Sequence, residues 1–314
     1  MTDDMELEDG RHLDAGGGQR EAQYAVGCGR RRGRHAPRVL LLVFVSLLWA
    51  FSFGLVKYWL HGVDSTWLSA VRLLLSWAVL LPWLRPRHAQ GRQRLELMGI
   101  GAVQFGLMYL TYLASFQYLQ AYQIALFTLT TPLLVCIVDD MVEVRWRWRP
   151  WAAAALSVLG SLVIVARGQP GEASLWGVLL LQCSNLCFAA GQVWYRRWRR
   201  RSARIPGDAG VFAWLYSGAV LLAVPLCLLK SPALLPILSL KQWGVVLYLG
   251  VIASGLGFFL WNVGATRVGT AALAVLNDAK IPLAVLVSLV VFGERVALLR
   301  LGVGSGLIVL AAVW

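Results

Sequence analysis

The sequence predicts an all-α fold: a polytopic membrane protein with ten transmembrane helices in a five-plus-five inverted repeat and both termini in the cytoplasm. Composition, the spacing of apolar segments and a weak internal repeat lead to this fold class. The 314 residues are 58% hydrophobic and 14% charged, against roughly 45–50% and 25% in soluble proteins. A globular core cannot bury so much apolar surface, whereas a bilayer can.

Apolar segments recur along the chain at lengths near the roughly 20 residues with which a helix spans a bilayer. Ten candidate segments run near 37–58, 65–84, 95–117, 121–138, 151–167, 174–195, 211–229, 240–262, 270–291 and 298–314. The charged and glycine-rich stretch 1–36 predicts a disordered cytoplasmic tail. We expect the first five-helix repeat at 37–167 and the second at 168–314.

Basic residues concentrate on one side of the predicted bundle. With the N-terminus inside, tryptophans also interleave with the inner arginines, which is typical of a membrane–water boundary and places both termini in the cytoplasm. The inner loops would carry Arg85, Arg87, Arg92, Arg94, Arg145, Arg147, Arg149, Arg196, Arg197, Arg199, Arg200, Arg201 and Arg204, and the outer side only Arg167, Lys230, Lys241, Arg295 and Arg300.

A weak repeat relates the two halves. Asp278 lies 150 residues after Thr128, and each is followed four residues later by a proline, Pro282 or Pro132. Each half also ends with a Gly-Ser pair before an aliphatic run, at Gly160-Ser161 and Gly304-Ser305. Because five is odd, the second half would enter the membrane from the opposite side. Inverted halves are a common plan of transporters, which hold the substrate between them near the midplane.

Four charged residues fall within apolar segments: Lys57, Arg72, Asp278 and Lys280. Each costs roughly 2.5–3.5 kcal/mol at mid-bilayer and therefore needs a reason. Snorkelling to the outer interface accounts for Lys57, whereas Arg72 either pairs with a structural partner or contacts substrate. Asp278 and Lys280 are two apart and would not face each other on an ideal helix. Either each has a partner on another helix, or Pro282 loosens the preceding turn.

Uncharged polar and aromatic residues lie at similar depths. The alternative to a binding role is that such residues hold helices together through hydrogen bonds, which we favour for Ser184 and Ser254. The predicted substrate-binding residues are Trp49, Arg72, Gln104, Tyr109, Tyr112, Gln182, Asn185, Trp261, Asn262, Asn277, Asp278 and Lys280.

Enzymatic and nucleic-acid functions are not favoured. The sequence has no Ser/His/Asp set, no Gly-rich phosphate loop and no HExxH motif, so we expect no catalysis, no cofactor and no metal. The net charge is +13, but the arginines cluster between apolar runs, which favours contact with anionic membrane lipid over nucleic acid.

Two short motifs carry a family resemblance. Leu48-Trp49 in the first segment and Gly293-Glu294-Arg295 before the last, in this ten-helix pattern, resemble the EamA-type drug/metabolite transporter superfamily over roughly residues 40–314. The stretches 48–53, 253–255 and 261–266, the last reading Trp-Asn-x-Gly-Ala-Thr, are similar to the YigM-type biotin-transporter branch. This resemblance implies a secondary transporter that imports biotin across the bacterial cytoplasmic (inner) membrane by alternating access.

Biotin chemistry suits the predicted residues. Arg72 or Lys280 would take the carboxylate. Candidates for reading the ureido group are Asn185, Gln182, Gln104 and Tyr109, and those for covering the apolar body are Trp49, Tyr112 and Trp261. An exporter of amino acids or other small metabolites remains an alternative, as does a non-transporting membrane scaffold or receptor; the sequence also leaves a homo-oligomer open.

Overall fold

The computed structural model describes residues 36–84, 89, 91–119, 121–165, 173–202, 207–230, 236–290 and 298–313. All regular secondary structure in these residues is helical, which confirms the predicted all-α class. The predictions for residues 1–35, for the side chain of Lys57 and for the motif 293–295 lie outside what the structure describes.

The described part of the first half contains seven α-helices. Asp64 begins the second of them, because its carboxylate accepts a hydrogen bond from the Trp67 backbone N–H at 2.7 Å. These helices are α1 (Ala36–Trp59), α2 (Ser65–Leu80, continued by a 3₁₀ turn at Leu81–Trp83), α3 (Arg92–Gly101), α4 (Met108–Ser115), α5 (Ala121–Thr128), α6 (Thr131–Glu143) and α7 (Trp148–Val165), with a π-helical segment at Ala102–Leu107 joining α3 to α4.

The described part of the second half also contains seven α-helices. A reciprocal capping interaction between Ser239 and Gln242 begins the third of them. These helices are α8 (Leu175–Arg201), α9 (Asp208–Lys230), α10 (Leu240–Leu247), α11 (Gly257–Ala265), α12 (Thr270–Asp278), α13 (Lys280–Val290) and α14 (Leu298–Val313), with a second π-helical segment at Tyr248–Leu256 joining α10 to α11.

Seven stretches of the described chain are long and apolar enough to cross a membrane, which makes this a multi-pass membrane protein. Within the described residues each predicted apolar segment coincides with helix, although ten crossings and the inverted repeat remain predictions. The seven stretches are Ser65–Trp83, Arg92–Ser115, Gln123–Glu143, Leu175–Arg201, Asp208–Lys230, Leu240–Ala265 and Thr270–Val287, and shorter apolar helices run over Leu40–Val56, Trp148–Ile164 and Leu298–Val313.

The predicted fourth and ninth helices are each interrupted at the same relative position. A proline lacks the backbone N–H and clashes with the carbonyl four residues earlier. For Pro132 that carbonyl belongs to Thr128, where α5 ends, and for Pro282 it belongs to Asp278, where α12 ends. The sequence leaves open whether Pro282 loosens the turn that holds Asp278 and Lys280. The structure shows a break of the helix between these two residues.

The last helices of the two halves cross at the predicted Gly-Ser pairs. A Cβ atom added to Gly160 would lie 2.7 Å from the Gly304 carbonyl oxygen, and one added to Gly304 would clash with the Gly160 carbonyl oxygen. Only glycine allows the backbones of α7 and α14 to approach this closely. Elsewhere α2 packs on α9 and on the Tyr248–Leu256 segment, and α4 packs on α8.

Candidate functional site

A cavity of about 690 Å³, counting its open side, lies among α1, α2, α4, α8 and the two interrupted helices. The lining residues are Trp49, Ser52, Val56, Arg72, Met108, Tyr109, Tyr112, Thr128, Thr131, Ser184, Asn185, Phe188, Phe258 and Lys280. Both helix breaks contribute to the wall, which explains how polar side chains of distant sequence meet there.

Arg72 is buried in the wall and is held by neutral groups. Its Nη2 donates to the Tyr109 hydroxyl at 2.8 Å and to Ser254 Oγ at 3.1 Å. The guanidinium lies 4.4 Å from the centre of the Tyr109 ring, in cation–π contact. No carboxylate of the described residues lies within 4.0 Å, the distance of an ion pair, of the Arg72 guanidinium. Its charge is therefore oriented but not neutralised by contact.

Lys280 is the first residue of α13, directly after the second helix break. Its side chain is only 8% exposed, and that surface borders the cavity. In the part of the chain that the structure describes, its ammonium has neither a hydrogen-bond acceptor nor a carboxylate within ion-pair distance. Lys280 thus presents a nearly buried positive charge to the cavity; it interacts with Asp278 at longer range but makes no ion-pair contact among the described residues.

Asp278 is the negative residue nearest to Lys280 in sequence, but it faces a different helix. Its Oδ2 accepts a hydrogen bond from Ser157 Oγ of α7 at 2.8 Å. Its Oδ1 is buried without a hydrogen-bond partner among the described atoms. Asp278 does not line the cavity, so one of the predicted binding residues instead connects α12 to α7.

An aromatic cluster forms the apolar wall. The Trp49 ring lies 4.9 Å from both the Phe258 and the Trp261 rings and 6.0 Å from Phe188. Its Nε1 donates to the Ala253 carbonyl at 2.8 Å, which fixes the indole against the second π-helical segment. Rigid rings of this kind suit the apolar face of a ligand.

The first helix break is bridged by two amides of α8. Gln182 Nε2 and Asn185 Nδ2 donate to the Phe127 carbonyl at 3.0 Å and 3.1 Å. Gln182 Oε1 also accepts from the Thr130 hydroxyl at 2.7 Å. Asn185 lines the cavity while Gln182 does not, so the structure separates two amides that the sequence could not distinguish.

The other predicted binding residues are buried away from the cavity. Gln104 donates to Asn262 Oδ1 at 3.0 Å, and Trp261 donates to Gln192 at 3.0 Å. Asn277 donates to the Leu273 carbonyl of its own helix at 2.8 Å. Of the predicted residues, the cavity therefore brings together Trp49, Arg72, Tyr109, Tyr112, Asn185 and Lys280.

Ser254 orients Arg72 although the sequence favoured helix packing for it. It lies in the π-helical segment Tyr248–Leu256, where its Oγ donates to the carbonyl of Leu249, five residues earlier, at 2.6 Å. The same oxygen meets Arg72 and the Tyr109 hydroxyl. Such π-helical turns occur frequently at functional sites. A serine among apolar residues does not indicate a π-helical turn, so the sequence could not predict this role of Ser254.

A second buried charge cluster, absent from the predictions, joins the two halves at one end of the bundle. We call Asp139, Arg147, Arg196 and Thr270 the Asp139 network. Asp139 accepts hydrogen bonds from both arginines and, at 2.8 Å, from the Thr270 hydroxyl. The Arg196 side chain is only 2% exposed within α8, so its prediction as a loop residue is wrong, as are those of the helical residues Arg197, Arg199, Arg200 and Arg201. The extent of α8 beyond residue 195 explains the error.

Comparison with known proteins places the chain in a family. A model described as the EamA-like transporter family matches residues 37–166 and 175–314. The chain belongs to this family. Membership confirms the resemblance predicted from the sequence motifs and makes the protein a transporter rather than an enzyme.

Several bacterial proteins resemble this EamA-like chain over most of its length. A "Probable biotin transporter" of Pseudomonas aeruginosa is 40% identical over 275 residues, which cover 87% of this chain and 95% of the relative. A "Biotin transporter" of Escherichia coli K12 is 36% identical over 277 residues, or 87% of this chain and 91% of the relative. The "Biotin transporter" of Salmonella typhimurium is 37% identical over 278 residues with the same coverage.

One solved structure shares the fold of this EamA-like chain. It is titled "Crystal structure of protein" and aligns with a TM-score of 0.71 at 21% identity, covering 88% of this chain and 95% of the other. At that identity the similarity shows the fold alone.

Proposed function

We propose that this EamA-like protein imports biotin. The observation that carries the proposal is the similarity, at 36–40% identity over 87% of the chain, to proteins named biotin transporter. The cavity supports it by its chemistry. It combines aromatic rings, a side-chain amide and two cations, which match the apolar bicyclic body, the ureido group and the carboxylate of biotin.

The same proposal includes a membrane topology and a mechanism. Ten crossings, two inverted sets of five and cytoplasmic termini in a bacterial inner membrane fit the arginine distribution of the sequence. Alternating access between the halves would expose the cavity to each side in turn. The paired interruptions at Thr128 and Asp278 support this plan, because each half supplies one broken helix to the same cavity.

Growth and uptake measurements test the proposal directly. The chain is produced in a bacterial strain that lacks its own biotin uptake and biotin synthesis, and growth is scored at low external biotin. We expect rescue and saturable uptake of radiolabelled biotin, neither of which a vector control should show. A chain that reaches the membrane at normal abundance without restoring uptake would contradict biotin import and favour export of amino acids or other metabolites.

Purified protein in proteoliposomes separates transport from a scaffold or receptor role. Biotin accumulation inside the vesicles, above the level of protein-free vesicles, is expected from a transporter. Binding of biotin without flux would indicate a receptor. Imposing proton and sodium gradients one at a time in the same vesicles would identify the coupling ion.

A further inference from the structure

The two cations of the cavity differ in how they are held. Arg72 is fixed by the Tyr109 hydroxyl and by Ser254 Oγ, and it stacks on the Tyr109 ring. Lys280 has no contact of either kind among the described residues, although it is more than nine-tenths buried. The two also belong to helices with different packing partners, since α2 lies against α9 and α4 while α13 lies against α1.

A buried ammonium without a partner is costly, because it has lost water and gained no acceptor in return. The nearest acid in sequence, Asp278, interacts with Lys280 only at longer range and not by contact, since it is hydrogen-bonded to Ser157 and lies outside the cavity wall. Lys280 also begins α13, so the positive end of the helix dipole adds to its charge. An anionic group entering the cavity gains most at this point.

The guanidinium of Arg72 is a weaker candidate for that anion. Nε and Nη2 already donate to Ser254 Oγ, and Nη2 donates to Tyr109 as well. A carboxylate using Nε and Nη2 together would have to break those hydrogen bonds, which leaves Nη1 alone to bind it, whereas a carboxylate approaching Lys280 breaks none. The fixed geometry of Arg72 instead suits a neutral acceptor such as a ureido carbonyl.

We propose that Lys280 binds the substrate carboxylate and thereby makes the transporter select a monocarboxylic acid over its uncharged analogues. This inference rests on the proposed function and assigns one end of the substrate within the same cavity. The remainder of the ligand then lies along the Trp49 and Phe258 side of the wall. Charge selection resides in the second half of the chain, at the helix break.

The test compares biotin with its primary amide, which has nearly the same shape but no charge. Unlabelled acid and amide compete with radiolabelled biotin for uptake into proteoliposomes containing the full chain. In the wild type the amide should compete about 10- to 100-fold less well, because hydrogen bonds between charged groups are the stronger ones. In Lys280→Gln this acid-over-amide ratio should fall to near one, and Lys280→Arg should keep it.

Two matched variants locate the effect. Arg72→Gln should reduce uptake but keep the acid-over-amide ratio, and Lys241→Gln, outside the cavity on α10, should change neither. A wild type that transports biotin yet accepts acid and amide equally would overturn this inference while leaving biotin import intact. Loss of the ratio in Arg72→Gln but not in Lys280→Gln would also overturn it.

Two further outcomes remain decisive. If Lys280→Gln does not accumulate in the membrane, the acid-over-amide ratios of the wild type, Lys280→Arg and Arg72→Gln decide which cation binds the carboxylate. Retention of the ratio in Arg72→Gln excludes Arg72, the other cation of the cavity. A wild type without any biotin uptake would overturn both the proposed function and this inference.

Discussion

Asp139 and Lys280 are both nearly buried, but their charges are compensated very differently. Asp139 meets two arginines and a hydroxyl within the Asp139 network, whereas Lys280 makes no hydrogen bond or ion pair among the described residues and faces the cavity. A compensated buried charge holds helices together. An uncompensated one bordering an open space is available to a ligand, and this contrast separates structural from binding residues better than burial alone.

The position of the two groups sharpens the comparison. The Asp139 network joins α6 and the chain before α7, in the first half, to α8 and α12 in the second. The cavity takes residues from both halves as well, but its cations are not paired with acids across it. Contacts between the halves therefore pair opposite charges at the network, whereas at the cavity they are made by neutral groups such as Ser254 and the ring of Trp49.

The largest expected effect is on stability, from removing the acid of the Asp139 network. Asp139→Ala should lower the free energy of unfolding by about 3–5 kcal/mol, because it leaves the Arg196 guanidinium buried without a carboxylate. Thermal unfolding of the detergent-purified protein measures this change. The control is Glu143→Ala, whose ion-pair partners Arg145 and Arg200 are exposed and which should cost less than about 1 kcal/mol. Equal losses of stability in both variants would contradict the contrast between the buried Asp139 network and an exposed ion pair.

The next effect is chiefly on transport and should cost less stability than Asp139→Ala. Arg72→Gln removes a charge that has no described carboxylate partner, so it strands no opposite charge. We expect biotin uptake at subsaturating concentration to fall about 10- to 100-fold, since hydrogen bonds made by a charged group are lost. Uptake per molecule in the membrane, measured with the unfolding temperature, checks this. Loss of stability as large as that of Asp139→Ala would show that Arg72 is chiefly structural.

The smallest of these effects concerns the amide at the first helix break. Asn185→Ala removes the neutral hydrogen bond to the Phe127 carbonyl and the one that we propose to the ligand, so we expect about a 2- to 10-fold fall in uptake. Gln182→Ala removes similar contacts to the break outside the cavity, so it isolates the structural part. If the two variants reduce uptake equally, Asn185 has no separate role in binding.

Sequence and structure agree most closely where local chemistry decides. Pro132 and Pro282 interrupt helices wherever they are placed in the fold, because the missing N–H and the steric clash are properties of the residue. Apolar length predicted the helices, and short motifs predicted the family. The sequence by itself thus determined the membrane environment, the all-α class and the transporter family of this protein.

Only the tertiary structure decided which polar residues share a space. Gln182 and Asn185 are three residues apart on α8, yet one lines the cavity and the other does not. In the sequence Arg196 resembled the arginines that follow it, and only the fold placed it beside Asp139 and Thr270. Partners such as these are separated by 57 and 74 residues along the chain, and spacing within one helix carries no information about them. Helix packing determines whether a buried charge meets its opposite or faces an open cavity.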